Sequence, residues 1–249
     1  MHPSTVVFFF DVDNTLLDND RVILDLRLHL EREVGQEYGE HYWKIFEQLR
    51  AELGYADYLG ALQRYRIAHG SDPKLQAVSY FLLNYPFAER LYPNSLNVIT
   101  HCRQWGQVVL LTDGDVVFQP RKIERSGLFS AVGGDVLIYV HKERALDDVA
   151  RRYPAERYVV VDDKLRILGD IKSAWGERVT TVFPRQGHYA LDPSITAKYP
   201  PADISVEGIG SLLDYDLSAF LRVRVPELLL QERVPADAEV ADRPDQRRA

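Results

Sequence analysis

The chain has 249 residues, of which 46% are hydrophobic, and its formal net charge at pH 7 is −7. This length and apolar content allow a substantial core and exclude disordered and fibrous classes. The acidic balance argues against a nucleic-acid partner, since that affinity comes mainly from clustered lysine and arginine. A small anionic substrate is still compatible with this charge if the site itself supplies cations.

Three features of the sequence bear on cellular location. A single cysteine, Cys102, cannot form an internal disulfide, and its helical surroundings favour a buried thiol over a catalytic one. No apolar run approaches the roughly 20 residues of a membrane span, and no basic region precedes an apolar one at the N-terminus. We therefore expect a cytoplasmic protein with no membrane partner.

The first element is a run of β-branched and aromatic residues over positions 6–10, followed by Asp11, Val12, Asp13 and Asn14. Such a run is typical of a strand buried on both faces. Its C-terminal end carries two carboxylates. In an open parallel sheet ligands bind at that end, because the strand tips and the following loops form a crevice there. We therefore expect the functional site at this edge.

Residues 18–92 differ in character, with many charges, many aromatic residues and apolar positions at helical spacing. Val22, Leu26 and Leu30 show this spacing of three to four residues, and glycine-containing turns separate the predicted helices. The segment is predicted to be an all-helical insertion whose aromatic residues mainly form its own core. Those residues include Tyr42, Trp43, Phe46, Tyr58 and Tyr65.

The remaining chain alternates between strands and helices. Strands are predicted over residues 108–113, 136–140, 158–163, 179–183 and 204–206. Helices are predicted over 93–105, 145–153, 165–175 and about 208–221, and a further helix with Ile123 as a core position follows the second strand and runs to Gly127. Strands separated by helices of about ten to fifteen residues indicate right-handed crossovers in a parallel sheet. The predicted fold class is α/β, a Rossmann-like three-layer parallel-sheet core (residues 1–17 and 93–221) with an inserted all-helical domain (18–92).

Residues 222–249 are predicted to form a weakly ordered C-terminal tail, because they are rich in charge, proline and alanine. Leu228, Leu229 and Leu230 are an exception within it. They would dock either on the body of the protein or on another subunit, and the oligomeric state is left open.

Polar residues lie at the C-terminal ends of four of the predicted strands: Asp11 and Asp13, Thr112, Lys142, and Asp162 with Asp163. Carboxylates this close together cannot all stay ionised without a counter-charge, so they are partly protonated or surround a cation. Oxygen ligands without clustered histidine and cysteine favour Mg²⁺ over zinc. A hydroxyl at Thr112 and an ammonium at Lys142 would hold a phosphate. Together these groups predict phosphoryl transfer.

The stretches Asp11-Val12-Asp13-Asn14-Thr15-Leu16, Leu110-Leu111-Thr112, Lys142 and Val161-Asp162-Asp163 resemble, in order, the four motifs of the haloacid dehalogenase superfamily. The resemblance covers residues 5 to about 220. It implies that Asp11 is a nucleophile that forms an aspartyl phosphate, and that Asp13 protonates the leaving alcohol and then deprotonates water.

The same resemblance implies a Mg²⁺ site and a phosphate site. The Asp11 carboxylate, the Asp13 main-chain carbonyl and an acid of the Asp162-Asp163 pair would hold Mg²⁺. Asp163 is favoured as the direct ligand and Asp162 as its support. Thr112 would hydrogen-bond the phosphoryl oxygens, and Lys142 would neutralise them and orient Asp11. The helical insertion would be a cap that closes over the strand tips.

Asp13 separates the chemistries within the superfamily, because relatives that cleave carbon–halogen bonds need neither this acid nor Mg²⁺. The chain therefore resembles the phosphatases, and we expect a small phosphorylated metabolite as its substrate. The alternatives are a phosphate-binding or regulatory protein without turnover, and a dehalogenase or phosphomutase. In purely structural roles, Asp11 and Asp13 would close a strand, and Asp162 or Asp163 would cap the next helix.

Two features depart from the family pattern. Glu143 follows Lys142 where members often have proline, which makes Lys122 a rival lysine. Lys122 falls in the helix after the second strand and is expected to point away from the strand tips. Thr112 is followed by the acidic turn 113–115, which would face a polar substrate, contact the insertion or cap the next helix.

Overall fold

The computed structural model describes residues 4–70 and 74–221. Within these ranges one sheet contains β1 (Ser4–Phe10), β2 (Gln107–Asp113), β3 (Val136–Tyr139), β4 (Ala155–Val161), β5 (Val179–Pro184) and β6 (Ile204–Val206). The strand order is β3-β2-β1-β4-β5-β6, and every neighbouring pair is parallel. All the C-terminal strand ends therefore lie at one edge.

The helices of the described ranges are α1 (Asn19–Val34), α2 (Gln36–Leu53), α3 (Tyr58–His69), α4 (Lys74–Asn84), α5 (Ser95–Cys102), α6 (Phe118–Arg125), α7 (Leu128–Ala131), α8 (Leu146–Arg152), α9 (Leu165–Trp175), α10 (Gly187–Leu191), α11 (Pro193–Thr196) and α12 (Leu217–Leu221). Short 3₁₀ helices occur at Phe87–Arg90, Lys142–Arg144, Gly176–Arg178 and Ile209–Asp214. None of the helices in residues 4–70 and 74–221 combines the length and apolar character that crossing a bilayer requires.

The side chains of β1 alternate between the two faces of the sheet. Phe8 and Phe10 belong to a core that also contains buried residues of α1 to α6 and α12. Phe9 belongs to a second core, which contains buried residues of α8 and α9. The sheet is therefore covered on both faces, and the predicted three-layer α/β fold with a helical insertion is confirmed.

The segment between β1 and α5 contains α1 to α4 and the 3₁₀ helix Phe87–Arg90, with no strand in its described part. The aromatic residues that were predicted to form its core are buried: Tyr42, Trp43, Phe46, Tyr58 and Tyr65. Its two ends are joined by backbone hydrogen bonds, because the Asp18 N–H donates to the Arg90 carbonyl at 2.7 Å and the Tyr92 N–H donates to the Leu16 carbonyl at 2.9 Å. We call residues 18–92 the cap.

Two predicted helices are shorter in the structure. The chain over 208–221 splits into the 3₁₀ helix Ile209–Asp214 and α12, because Tyr215 is extended and Asp216 Oδ1 accepts the Ala219 N–H at 2.8 Å as a new helix cap. The helix over 93–105 is only α5. It ends before Gly106, where a Cβ atom would lie 2.2 Å from the Val6 carbonyl oxygen.

Cys102 is buried on α5, as predicted. Burial raises the pKa of its thiol to about 12, so the thiolate does not form at neutral pH. The predicted tail and its three leucines, residues 228–230, lie outside the described residues.

Candidate active site

Lys142 joins acids from two different strands at the C-terminal edge of the sheet. Its Nζ lies 2.5 Å from Asp11 Oδ1 and 2.6 Å from Asp162 Oδ2, and all three side chains are buried. Asp11 directly follows β1, Asp162 directly follows β4, and Lys142 begins the short 3₁₀ helix after β3. The lysine also donates to the Leu111 carbonyl at 3.1 Å. Sheet order thus brings together residues that are distant in sequence.

Asp11, Asp162 and Asp163 form a buried carboxylate cluster, in which one oxygen of each lies within 4.8 Å of the others. Asp11 Oδ2 and both Asp163 carboxylate oxygens have no hydrogen-bond partner among the described residues. Asp162 is held differently, because its Oδ1 accepts the Lys164 N–H at 2.8 Å and its Oδ2 faces Lys142. Buried, unpartnered carboxylate oxygens are costly unless a proton or cation satisfies them.

The donor set fits Mg²⁺, which prefers oxygen ligands and is often bound by only one or two carboxylates. Asp163 has both oxygens free for a cation, whereas Asp162 is already engaged by Lys142 and the Lys164 backbone. The arrangement therefore fits direct binding by Asp11 and Asp163, with Asp162 as a support.

Burial and charge shift the pKa values in this cluster. Burial raises the pKa of Asp163 well above its usual value, and it also raises that of Asp162 against the opposing charge of Lys142. Burial alone would lower the pKa of Lys142, but the carboxylates of Asp11, Asp162 and Asp113 raise it above its usual value. The lysine is therefore a fixed positive charge at neutral pH, and Asp163 is the acid with the greatest need of a cation.

Asp13 lies beside the cluster with 26% of its side chain exposed, and its Oδ1 accepts a hydrogen bond from Lys122 Nζ at 2.6 Å. The expectation that Lys122 points away from the strand tips is therefore wrong. On α6 the buried residues are Phe118, Gln119, Lys122 and Ile123, which share one helix face. The sequence contained a signal for this position, because a spacing of three to four residues from Phe118 puts Lys122 on the inner face of the helix.

The loop after Asp13 connects the C-terminal edge of the sheet to the cap. Asn14 adopts a left-handed conformation with φ of 62°. Its Oδ1 accepts the N–H groups of Asn19 at 3.0 Å and Asp20 at 3.2 Å, in the first turn of α1. Thr15 Oγ1 accepts the Asp163 N–H at 3.0 Å. The loop thus fixes the start of the cap and the backbone of Asp163 together.

Thr112 is buried near the end of β2, and its hydroxyl accepts a hydrogen bond from Gln119 Nε2 at 3.1 Å. In the acidic turn that follows, Asp113 Oδ1 accepts the Lys142 N–H at 2.7 Å. Asp115 Oδ1 accepts the Phe118 N–H at 2.7 Å, next to the start of α6. One acid of the turn therefore positions the backbone of the lysine, and another caps the next helix. The role of Gln119 was not predicted from the sequence.

A cavity of about 350 Å³ lies between the cap and this edge of the sheet. Its lining includes Asp13, Asp113, Lys122 and Lys164 from the core. The cap supplies aromatic lining residues: Trp43, Phe46, Tyr55 and Tyr58. Asp11, only 4% exposed, does not itself line this cavity, whereas Asp13, two residues later, does. The cap therefore forms one wall of the space beside Asp13 into which a bound molecule would extend.

Comparison with known proteins connects this site to a family. The family model of haloacid dehalogenase-like hydrolases matches residues 5–168. The chain belongs to this family. The matched residues include the acids after β1 and β4, Thr112 and Lys142. No curated protein sequence matches the chain.

Solved structures of haloacid dehalogenase-like proteins share the fold. One is a crystal structure from Burkholderia xenovorans LB400, described as a haloacid dehalogenase-like hydrolase. Its sequence is 60% identical to this chain and its TM-score is 0.83; the alignment covers 86% of this chain and 100% of the other. YfnB from Bacillus subtilis, described as a HAD-hydrolase bound to magnesium, is 18% identical with a TM-score of 0.55, covering 85% and 98% of the two chains.

The L-2-haloacid dehalogenase from Xanthobacter autotrophicus is 17% identical with a TM-score of 0.53, covering 85% of this chain and 97% of its own. At these lower identities, similarity to YfnB and to the dehalogenase shows a common fold. The chain is therefore a haloacid dehalogenase-like hydrolase by family.

Proposed function

We propose that this hydrolase is a Mg²⁺-dependent phosphatase that acts on a small phosphate monoester through an aspartyl-phosphate intermediate. The observation that carries the proposal is the pairing of two carboxylates with different surroundings. Asp11 is buried against Lys142, whereas Asp13 is partly exposed at the cavity. Such a difference suits one carboxylate to bond formation with phosphorus and the other to proton transfer.

In the first step Asp11 attacks phosphorus, and the bond between phosphorus and the leaving oxygen breaks. Asp13 gives its proton to that oxygen, so the product leaves as a neutral alcohol. Lys142 keeps the Asp11 carboxylate oriented through its contact with Oδ1. The Thr112 hydroxyl hydrogen-bonds the phosphoryl oxygens, and Lys142 offsets their charge.

In the second step water attacks the phosphorus of the aspartyl phosphate. Asp13, now ionised, accepts a proton from the water, and the bond between phosphorus and Asp11 breaks to release inorganic phosphate. Asp13 has then regained its proton and Asp11 its charge, so the enzyme is ready for another cycle. One pair of carboxylates thus serves both halves of the reaction.

Bound Mg²⁺ would supply positive charge to the transferring phosphoryl group. Asp11, the Asp13 main-chain carbonyl and Asp163 would hold it, with Asp162 supporting the site through its contacts to Lys142 and the Lys164 backbone. The support for this assignment is the set of buried carboxylate oxygens that lack a partner in the described residues.

The test is hydrolysis of p-nitrophenyl phosphate with Mg²⁺ and with a chelator in its place. We expect Mg²⁺-dependent turnover that Asp11→Asn lowers by about 10³-fold or more, the scale on which loss of a nucleophile acts. Asp147→Asn makes the same chemical change on the exposed face of α8 and serves as the control. Retention of the wild-type rate in Asp11→Asn would overturn the nucleophile assignment.

Two further assays separate the alternatives. Chloride release from 2-chloropropionate without phosphatase activity would identify a dehalogenase. Binding of a phosphate analogue without turnover on a broad panel of phosphorylated metabolites would identify a binding or regulatory protein. The same panel identifies the preferred substrate when turnover is present.

A further inference from the structure

Lys122 is a buried charged residue that none of the proposed steps uses. Its side chain is 1% exposed, and it lies on the inner face of α6 between the sheet and the cap. We propose that Lys122 is a positioning residue that holds the Asp13 carboxylate in the orientation needed for proton transfer to the leaving group. This inference rests on the phosphatase function proposed above.

The two oxygens of Asp13 have different environments. Oδ1 accepts a hydrogen bond from Lys122 Nζ at 2.6 Å. Oδ2 has no hydrogen-bond partner within residues 4–70 and 74–221, and Asp13 lines the cavity. A carboxylate anchored through one oxygen loses rotational freedom, so its other oxygen is presented in a defined direction. Oδ2 is therefore the oxygen that exchanges a proton with the alcohol and then with water.

The surroundings of Lys122 indicate that the lysine is held for these contacts. A buried ammonium group is costly unless it is paired and hydrogen-bonded. The partners of Lys122 are Asp13 and Asn19 Oδ1, at 3.1 Å, while the Phe118 ring lies 5.4 Å from Nζ. An apolar residue on this face would avoid the desolvation cost but would leave Asp13 without its anchor.

The second partner links the lysine to the cap. Asn19 is in the first turn of α1, and its Nδ2 donates to the Tyr58 hydroxyl of α3 at 3.5 Å. A continuous set of contacts therefore runs from Asp13 through Lys122 and Asn19 to the cavity wall. Because of it, the orientation of the proton donor depends on the cap being seated over the sheet.

The decisive experiment compares leaving groups that differ in their need for a proton. An alkyl phosphate such as ethyl phosphate releases a strongly basic alkoxide, whereas p-nitrophenolate leaves without help. The quantity compared is kcat/KM, which reports steps up to the first irreversible one. General acid catalysis contributes about 10²–10⁴-fold. Loss of positioning alone should therefore cost the alkyl ester about 10²-fold more than the nitrophenyl ester in Lys122→Met.

Three comparison variants define the result. Lys142→Met removes the contact to the nucleophile and is expected to lower kcat/KM for both esters to a similar extent. Lys122→Arg keeps the charge, so the losses in kcat/KM for the two esters are expected to differ less than in Lys122→Met. Lys122→Gln keeps a hydrogen-bond donor in a side chain of similar size and is expected to give a difference in kcat/KM between those of the methionine and arginine variants. If thermal unfolding shows that Lys122→Met does not fold, the glutamine variant decides the question.

If Lys122→Met lowers kcat/KM equally for the two esters, or for neither, the inference is wrong, while the proposed phosphatase function is unaffected. If the wild-type protein with Mg²⁺ hydrolyses neither ester nor any metabolite of the panel, the proposed function fails and this inference fails with it.

Discussion

Lys142 Nζ lies 2.5 Å from Asp11 Oδ1, although 131 positions separate the two residues in the sequence. They follow β3 and β1, which are not neighbours, because β2 lies between them in the sheet. The lysine therefore crosses the tip of β2, where it also donates to the Leu111 carbonyl. Since parallel strands all end at one edge, a side chain that follows one strand can reach a carboxylate that follows another without a long connecting loop.

Removal of this lysine should destabilise the protein as well as inactivate it. Lys142→Met leaves the buried carboxylates of Asp11 and Asp162 without their cation, and breaking a buried pair in this way costs about 3–5 kcal/mol. Urea unfolding without Mg²⁺ measures the change. Lys172→Met is the control, because its partner Asp203 and the lysine itself are partly exposed, with 20% and 34% of their side chains accessible. A loss no larger than that of the control would contradict the prediction.

Asp162 and Asp163 should respond in opposite ways to the same substitution. Neither carboxylate oxygen of Asp163 has a hydrogen-bond partner within residues 4–70 and 74–221, and burial raises the pKa of this acid well above the usual value. Asp163→Asn should therefore stabilise the protein in the absence of Mg²⁺, because it removes a poorly solvated acid. Asp162→Asn should destabilise it, because it weakens the pair with Lys142.

The same two variants test the metal site by isothermal titration with Mg²⁺ alone. Asp163→Asn should weaken Mg²⁺ binding by at least about 10-fold, since it removes a direct ligand rather than an outer contact. If Asp162→Asn weakened binding more than Asp163→Asn, the assignment of ligand and support would have to be exchanged.

Asp25 should make the stability of the cap depend on pH. Its Oδ2 accepts hydrogen bonds from the Tyr85 hydroxyl at 2.5 Å and from Arg90 Nη2 at 3.0 Å. Although burial opposes the effect, these bonds lower the pKa of Asp25 below 3.8. The carboxylate therefore contributes stability above its unfolded pKa, and this contribution is lost as the pH falls through the lower pKa of the folded protein.

Asp25→Asn should consequently cost about 1 kcal/mol at neutral pH. The difference from wild type should shrink as the pH falls below the unfolded pKa of about 3.9 and through the lower pKa of the folded protein, because the wild-type carboxyl group becomes protonated there. Urea unfolding at neutral pH and at a series of acidic pH values measures the change. Asp170→Asn, in an exposed pair with Arg166, should change stability by less than about 0.5 kcal/mol. A difference in unfolding free energy between wild type and Asp25→Asn that increased in acid would contradict the prediction.

Gly187 should be intolerant of a side chain for a reason beyond its backbone angle. Its φ is +75°, and a Cβ atom there would lie 2.4 Å from Asn14 Cβ. Gly176 has a φ of +56°, but no atom of residues 4–70 and 74–221 lies within 4 Å of the position that its Cβ would take, so its substitution reports the cost of an unfavourable backbone conformation without a steric contact. That cost is about 1–3 kcal/mol for Gly176→Ala.

Gly187→Ala should lose more stability than Gly176→Ala and should also lower turnover. It would displace Asn14, which caps α1 and is adjacent to Asp13 in the chain. Thermal unfolding and hydrolysis of p-nitrophenyl phosphate measure the two effects. Equal stability losses and normal turnover in both variants would show that contact with Asn14 is not limiting.

The parts of this molecule that sequence predicts are those in which local pattern and topology agree. Asp11 and Asp162 each follow an apolar run of the length and β-branched composition typical of a buried strand, so their meeting at one edge follows from the parallel order. The direction of the Lys122 side chain was harder to predict from the sequence. Its position depends on the rotation of α6 after the turn 114–117, and the prediction that it points away from the site was wrong. Phe118 and Ile123 are buried on the same face as Lys122, and the three-to-four-residue spacing between Phe118 and Lys122 is the sequence signal that the prediction did not use.

The end of the chain shows a second limit. Apolar spacing over 208–221 is compatible with one helix, yet Asp216 begins a new one by capping the Ala219 N–H. A side chain that competes for a backbone group can override the apolar pattern, and its rotamer is not encoded in the spacing. The detailed neighbours of Thr112, such as Gln119, likewise depend on how a helix is seated on the sheet.

The two bonds that join the ends of the cap, Asp18 to Arg90 and Tyr92 to Leu16, have a consequence for how such a protein changes over evolutionary time. The segment between these bonds can be lengthened, shortened or replaced while the chain still leaves the sheet and returns to it at the same place. The acids at the strand tips would keep their alignment throughout. Substrate preference and chemical machinery can therefore diverge at different rates within a single polypeptide.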